Sequence, residues 1–489
     1  MESCRQRSIF WTQRTLGAPT AASVSNIMQR QRCPVRRPPL DRFLANRGSV
    51  LRNIGLAILG LIVIFSCDSF NAALTGGGTA DPGFQGTDTR MQIITIVLWT
   101  LLIGLSFIPG MICYPQRRTG LLWPALFLAW SVFSSVWSDD PMSSMPKAAV
   151  LLALSLATWR LAAMIAVDEM FTCVYYALSV LLIASLALVI LVPSVGVVQE
   201  EWQHVGNWNG MFASKQGLGM ISAFALGISL LRVISPRRSL LDMLMTVVAG
   251  VCLFGSASRG GGAIAIVATT CMVLARRRPK LLATLVSGIL IADLFMAAAN
   301  ITYFMITGAP HYELFGEPIN FTERTFIWQY ALGLLREQPF IGYGLNGFWT
   351  DANTFYGYKR LHGWVLDNYH DGYIAIIVET GIVGFLLFST AATQFISRLR
   401  TRIMQTPGDR LSLEMVVGYM LMFFTINLSE GLLLRSTNFL VVLFNFLVVK
   451  VMSSPVPHAL RHRVVPPRRQ PVEPRVAGRQ QGHVTASPE

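Results

Sequence analysis

The stretch NYHDGYIAIIVETGIVGFLLFSTAATQF, Asn368 to Phe395, decides the fold. It opens on polar residues and an imidazole, then runs apolar from 373 to 396 with one carboxyl, Glu379, inside the run. As a helix, a run of that length crosses the hydrocarbon core of a bilayer, about 30 Å thick. Working outward, similar runs lie near 51–67, 92–113, 121–137, 148–166, 171–193, 211–231, 240–257, 260–275, 281–299, 413–428 and 436–452. Barrel strands would be about 10 residues long with alternating polarity, so the runs are helices.

Of 489 residues, 53% are hydrophobic and 13% charged, against about 25% charged in soluble domains. The sequence therefore predicts an all-α polytopic membrane protein. It has about 12 transmembrane helices and one large external loop containing short helices. The expected divisions are a basic, disordered cytoplasmic tail (1–50), helices one to nine (51–299), the catalytic loop (300–372), helices ten to twelve (373–452) and a second basic, disordered cytoplasmic tail (453–489). The Arg-rich N-terminal 47 residues also read as a transit peptide, or as an over-extended start before Met28.

The net charge of +14 sits mostly in the tails and short inter-helix connections, as on a cytoplasmic membrane face. That distribution argues against a nucleic-acid partner. Arg117 and Arg118, Arg232 to Arg238, Arg276 to Lys280 and Arg398 to Arg410 fall on one side, with Asp139, Asp140, Glu200 and Glu201 on the other. The pattern puts both termini inside and the long loop outside. The connection at Asp168 and Glu169 lacks a basic residue, and Arg160 is placed to snorkel to that face. The seven cysteines lie in the N-terminal tail or in spans, without CxxC or zinc spacing.

Polar chemistry collects at the outer ends. Arg259 lies in Gly255-Ser256-Ala257-Ser258-Arg259-Gly260-Gly261-Gly262, a hairpin whose glycines permit close backbone approach; the blander reading is an interfacial Arg on lipid phosphate. Lys215 lies about one turn into a span, either snorkelling or binding substrate. Glu323 to Glu337, ERTFIWQYALGLLRE, reads as a helix with Ile327, Ala331, Leu334 and Leu335 on one stripe. Arg324 in its first turn opposes the helix dipole, a conflict that an anionic ligand relieves; a salt bridge to Glu317 or Asp367 is the alternative. His370 is an imidazole, the side chain most often used for proton acceptance near neutrality, with Asp367 or Asp371 to orient it; an interfacial His among aromatics is the blander reading. A metal site of Asp367, His370 and Asp371 fits no ligand spacing, so no metal is expected. Glu379, buried in its span, needs a partner such as Lys215 or Arg259; Asp293, Asn300 and Glu430 are weaker candidates. Trp202, Trp208, Trp328, Trp349 and Trp364 form either a sugar-stacking surface or an interfacial belt.

Taken in order, Phe212-Ala213-Ser214-Lys215-Gln216-Gly217-Leu218-Gly219, Ser258-Arg259-Gly260, Arg324 with Trp328 and Pro339-Phe340-Ile341-Gly342-Tyr343-Gly344, and Tyr369-His370-Asp371 with Glu379-Thr380-Gly381 resemble the blocks of a known family. It is the O-antigen ligase and Wzy-type polysaccharide polymerase superfamily of bacterial inner membranes, in its exopolysaccharide polymerase branch. Trp137-Ser138-Asp139-Asp140-Pro141 points to that branch. The resemblance implies a metal-independent, inverting glycosyltransferase with no cofactor, acting on undecaprenyl-diphosphate-linked oligosaccharide in the periplasm. It implies that Arg259 and Arg324 bind the diphosphate and that His370 is the essential imidazole. Lys215, Glu379, Asp371 and Asp367 join the expected substrate site. Expected partners are the lipid-linked oligosaccharide, inner-membrane lipid, a flippase and a chain-length regulator. Two departures stand out: Ser214-Lys215-Gln216 replaces the family's His-Lys-Asn, and His370-Asp371 its His-Asn. A ligase is the alternative within the superfamily. Outside it stand a precursor flippase, which lacks a large outer loop, and a secondary transporter, which carries its charges at mid-membrane.

Overall fold

The computed structural model describes residues 39–67, 89–107, 120–199, 205–212, 214–235, 238–278, 312–314, 317–319, 324–349, 368–405, 410–428, 430–435 and 438–453, with isolated positions between 281 and 307 and at 357 and 360. The chain divides into Met1–Leu51 and a larger unit, Arg52–Glu489. Among the described residues the main helices are α1 (Pro39–Phe65), α2 (Thr89–Ser106), α3 (Leu122–Phe133, continued by a 3-10 turn Ser134–Trp137), α4 (Pro141–Met164), α5 (Val167–Leu191), α6 (Lys215–Ile234), α7 (Leu240–Ser256), α8 (Arg259–Arg277), α9 (Arg324–Leu335), α10 (Gly372–Gln405), α11 (Arg410–Ile426) and α12 (Phe439–Ser453). The described positions between 281 and 307 are also helical. Every expected span thus meets helix, and α1 begins ahead of the expected residue 51.

Among the described residues, four helices are long and apolar enough to cross a membrane: Pro141–Met164, Val167–Leu191, Lys215–Ile234 and Gly372–Arg402. Shorter apolar helices accompany them, including Leu240–Ser256 and Phe439–Ser453. On α7, Leu240, Leu244, Val247, Val251 and Phe254 form an exposed stripe, while Met245, Val248, Ala249 and Cys252 on the other side are buried. A large apolar stripe turned outward along a whole helix belongs in lipid. The protein is a multi-pass helical membrane protein.

One small departure from all-α lies in the long loop. Strands β1 (Tyr312–Leu314) and β2 (Glu317–Ile319) pair antiparallel, with Tyr312 opposite Ile319 and Leu314 opposite Glu317. Three residues per strand leave no periodicity for a sequence to display.

Side-chain contacts sort the helix ends. At one end, the Arg232 Nε sits 2.7 Å from the Asp242 carboxylate, itself accepting from Ser239 at the start of α7, and the Arg232 guanidinium covers the Tyr175 ring at 4.3 Å. Arg52 meets Glu169 at 3.3 Å. The acidic start of α5 is therefore balanced by α1, although its own connection carries no base. At the other end, the turn after α3 meets the loop after α9, where Leu345 N–H donates to Ser134 Oγ at 2.9 Å. There too α10 meets the turn after α11, where Gly372 N–H donates to the Asn427 carbonyl at 2.8 Å. Among the described residues, Lys215 and Arg259 at their helix starts and His370, Asp371 and Glu379 around the start of α10 lie toward this second end.

Candidate functional site

Two helices start side by side. Ser214 caps α6, its hydroxyl accepting from Gly217 N–H at 3.2 Å, and Ser258 caps α8, accepting from Gly261 N–H at 3.1 Å. Lys215 and Arg259 are the first residues of these helices. The two first turns touch through glycine: a Cβ on Gly261 would stand 2.8 Å from the Gly219 carbonyl carbon, and one on Gly219 would stand 2.5 Å from Ser258 Cβ. Gly219 and Gly261 thus admit helix to helix. The backbone N–H groups of two adjacent first turns, with a cation heading each helix, form an arrangement suited to an anion. Ser214, where the family has His, serves as a cap. The side chain of Arg259 lies outside the described residues. The turn into α8 passes through Ala257 at φ +46, a left-handed conformation uncommon for alanine.

α8 packs along α11, and α11 leads to the start of α10. That helix is broken: Gly381 has φ +66 and ψ −174, a region open essentially to glycine alone. Breaking a helix frees carbonyls and N–H groups that must find partners inside a membrane protein. The loop after α9 supplies most of them. Tyr343 N–H donates to Val378 O at 3.0 Å and Gly344 N–H to Glu379 O at 2.8 Å. Ile382 N–H donates to Pro339 O at 2.9 Å. Trp130 Nε1 takes the Thr380 carbonyl at 2.9 Å. Gly342 and Gly344, at φ +68 and +86, make the loop thin enough to lie there. The Pro339-to-Gly344 and Glu379-to-Gly381 blocks are therefore one interlocked unit.

That loop also answers for Glu379. Its carboxyl is 4% exposed and accepts the Asn346 N–H at 2.8 Å. Arg435 and Lys147 are the cations in electrostatic reach, and Arg435 Nη1 stands 3.4 Å from Asn346 Oδ1. The donor the structure gives the Glu379 carboxyl is thus a backbone amide of this loop; whether Arg259 also reaches it lies outside the described residues. Asn346 adopts φ +52 to do so.

α9 docks by the expected stripe: Ile327 and Ala331 are buried and Leu334 is packed against Tyr343, Phe348, Trp349, Tyr369, Ile374 and Val378. Leu335 stays outside that cluster. Tyr343 Oη donates to the Leu334 carbonyl at 2.8 Å, and burial together with Glu337 pushes this hydroxyl up to about 12, keeping it a donor. Trp328 Nε1 donates to the Tyr369 carbonyl at 2.9 Å, tying the helix that opens with Arg324 to the residue before His370. Trp349, 7% exposed, is core, and the half-buried Trp208 ring covers Gly255, where a Cβ would stand 2.2 Å from it. The Arg324 side chain, Asp367, Trp202, Trp364, Asp293 and Asn300 lie outside the described residues.

His370 itself is at φ +50. Its backbone N–H donates to Asn368 Oδ1 at 3.2 Å, and its Nδ1 stands 3.6 Å from Glu430 Oε2. Asp371, one of two carboxylates expected to orient the ring, commits Oδ1 to the Tyr373 and Ile374 N–H groups at 2.8 and 2.9 Å. It caps α10, a task Asn performs equally well, which accounts for the Asn-to-Asp departure. The Trp137-to-Pro141 run is likewise a cap: Asp140 accepts from Ser143 N–H at 3.2 Å, and the Ser143 hydroxyl holds its carboxyl below the ordinary range. Arg435 and Asn346 escaped the sequence reading because each gains its place only through tertiary contact.

The fold defines a multi-pass helical membrane protein in which Lys215 and Arg259 open two adjacent helices and His370 stands just before the start of α10. Residues 244–389 match the family model described as O-antigen ligase. Over 223 residues the chain is 25% identical to the exopolysaccharide production protein ExoQ of Rhizobium meliloti (strain 1021). That alignment covers 44% of this chain and 44% of ExoQ. These matches show a likeness to the O-antigen ligase family over residues 244–389 and to ExoQ over less than half of either chain. The family match contains Arg259, Arg324, His370, Asp371 and Glu379 and leaves Lys215, Glu430 and Arg435 outside it.

Proposed function

We propose that this protein is an inverting glycosyltransferase of a bacterial inner membrane. It spans the bilayer about 12 times, both termini are cytoplasmic, and it lengthens exopolysaccharide from undecaprenyl-diphosphate-linked repeat units on the periplasmic side. The observations that support the proposal are two paired helix starts, each opening with a cation, the packing of α8 on α11, and the turn after α11 that meets the start of α10 beside His370. The printed description of ExoQ supports exopolysaccharide as the product. The description of the matched family keeps a second reading in view, a ligase that passes the same glycan to a lipid or protein acceptor.

In this reading Arg259 and Arg324 hold the diphosphate through forked, charge-assisted hydrogen bonds, with Lys215 adding a point charge. His370 takes the proton of an acceptor hydroxyl. That oxygen bonds the anomeric carbon as the carbon–oxygen bond to the diphosphate breaks, and the lipid diphosphate departs with the electron pair. Fixed cations stabilise the growing charge, and losing one such donor costs roughly 10²–10³ in rate. No metal is required. Lipid-linked oligosaccharide, membrane lipid, a flippase and a chain-length regulator are the partners proposed.

The test is purified protein in lipid nanodiscs with a lipid-linked oligosaccharide. Lengthened glycan and released lipid diphosphate, undiminished in EDTA, are expected. Arg324→Lys keeps the charge and loses the fork, so it should lose most activity; full activity in that variant would remove the clamp. Product found only on a separate acceptor would favour the ligase.

A further inference from the structure

The turn between α11 and α12 lies outside the matched family region, yet it enters the site. Asn427, fully buried, organises it. Its Nδ2 donates to the Phe423 carbonyl at 2.8 Å, and its Oδ1 accepts Leu432 and Leu433 N–H, each at 3.1 Å. Its own carbonyl accepts from Gly372, two residues after His370. Between these anchors stands Glu430, whose N–H donates to the Ile426 carbonyl at 2.8 Å. Gly431 brings the turn against Asn368: a Cβ there would stand 2.6 Å from Asn368 Oδ1, the atom that also accepts His370 N–H. Two asparagines therefore fix both halves of one pair, Glu430 and His370.

The His370 Nδ1 is shut off from solvent without a hydrogen-bond partner among the described residues, and a carboxylate oxygen faces it at 3.6 Å. Both side chains are 34% exposed, so the pair lies at the mouth with the rest of the ring accessible. A shift of about 0.6 Å makes an ordinary N–H···O bond, and such bonds commonly tighten when substrate binds. A carboxylate on Nδ1–H fixes the tautomer that leaves the Nε2 lone pair to accept a proton, the arrangement of a base oriented by a third group.

We propose that Glu430 is a positioning residue for His370, holding Nδ1–H so that Nε2 faces the acceptor hydroxyl. This rests on the general-base reading of His370. The test uses the full-length protein in nanodiscs with undecaprenyl-diphosphate-linked oligosaccharide, measuring kcat, donor KM and the unfolding midpoint for Glu430→Ala, Glu430→Gln and Glu430→Asp. Glu430→Ala should lower kcat by between about tenfold and the roughly 10²–10⁴ that loss of a general base costs, leaving donor KM and the unfolding midpoint unchanged. Glu430→Gln and Glu430→Asp, which still offer Nδ1 an acceptor oxygen, should recover part of the loss. Wild-type kcat in Glu430→Ala, or a loss that falls equally in all three variants together with the unfolding midpoint, overturns the proposal. His370→Ala separates the two claims. If it is inactive while Glu430→Ala is normal, this inference alone fails; if it is fully active, the base reading fails.

Discussion

Replacing Gly381 by alanine tests the interlocked loop and helix break. The residue has φ +66 and ψ −174, and a Cβ would stand 2.2 Å from the Phe340 carbonyl oxygen and 2.6 Å from Ile341 N. The conformation costs alanine about 1–3 kcal/mol. The clash adds to that cost because the obstructing atoms are backbone and cannot rotate away. Two relaxations exist. The helix can straighten, which displaces Tyr343 and Gly344 from the Val378 and Glu379 carbonyls, or the loop can lift, which withdraws the Asn346 N–H from the Glu379 carboxyl. Either leaves buried polar groups without their partners, at about 1–3 kcal/mol more. A loss of at least about 2 kcal/mol is expected, read as a lower unfolding midpoint and as faster hydrogen exchange confined to 339–349 and 376–383. The control is Gly333→Ala, in the middle of α9 with nothing within 4 Å of its Cβ position. It should be neutral or stabilise by up to about 1 kcal/mol. Unchanged stability and exchange in Gly381→Ala would refute the reasoning.

Trp328→Phe removes the bond to the Tyr369 carbonyl while keeping most of the ring's packing. It should cost about 1 kcal/mol of stability and lower kcat more than donor KM, as steady-state kinetics would show. Asp371→Asn should be close to neutral, and Asp371→Ala should lose about 0.5–2 kcal/mol, because the carboxylate serves the Tyr373 and Ile374 N–H groups. Thermal unfolding of the pair checks this. Gly261→Leu should force α8 away from Gly219 and weaken retention of a fluorescent lipid diphosphate; unaltered retention would separate the anion site from the helix pair.

Local signals carried much of this. Long apolar runs announced the spans, and Ile327, Ala331 and Leu334 announced the docking face of α9, because burial on one side of a helix writes a 3.6-residue period. Ser214, Ser258 and Asp140 are caps of the kind favoured at helix starts. The roles of Gly219, Gly342 and Gly381 were not legible, since a glycine does not say whether ligand, helix or loop comes close. Glu379 sat correctly inside its span, but its donor is a backbone amide at Asn346, and no side-chain inventory identifies such a partner. Glu430 reaches His370 through a turn organised by Asn427, a contact between segments far apart in the chain.

The most direct test of the central claim is labelling of single cysteines placed at 259, 324 and 370, one at a time in a cysteine-free background, with a membrane-impermeant maleimide added to intact cells with a permeabilised outer membrane. All three positions should react from the periplasmic side, and lipid diphosphate should protect them. Reaction of any one of them only after the inner membrane is opened would contradict the account.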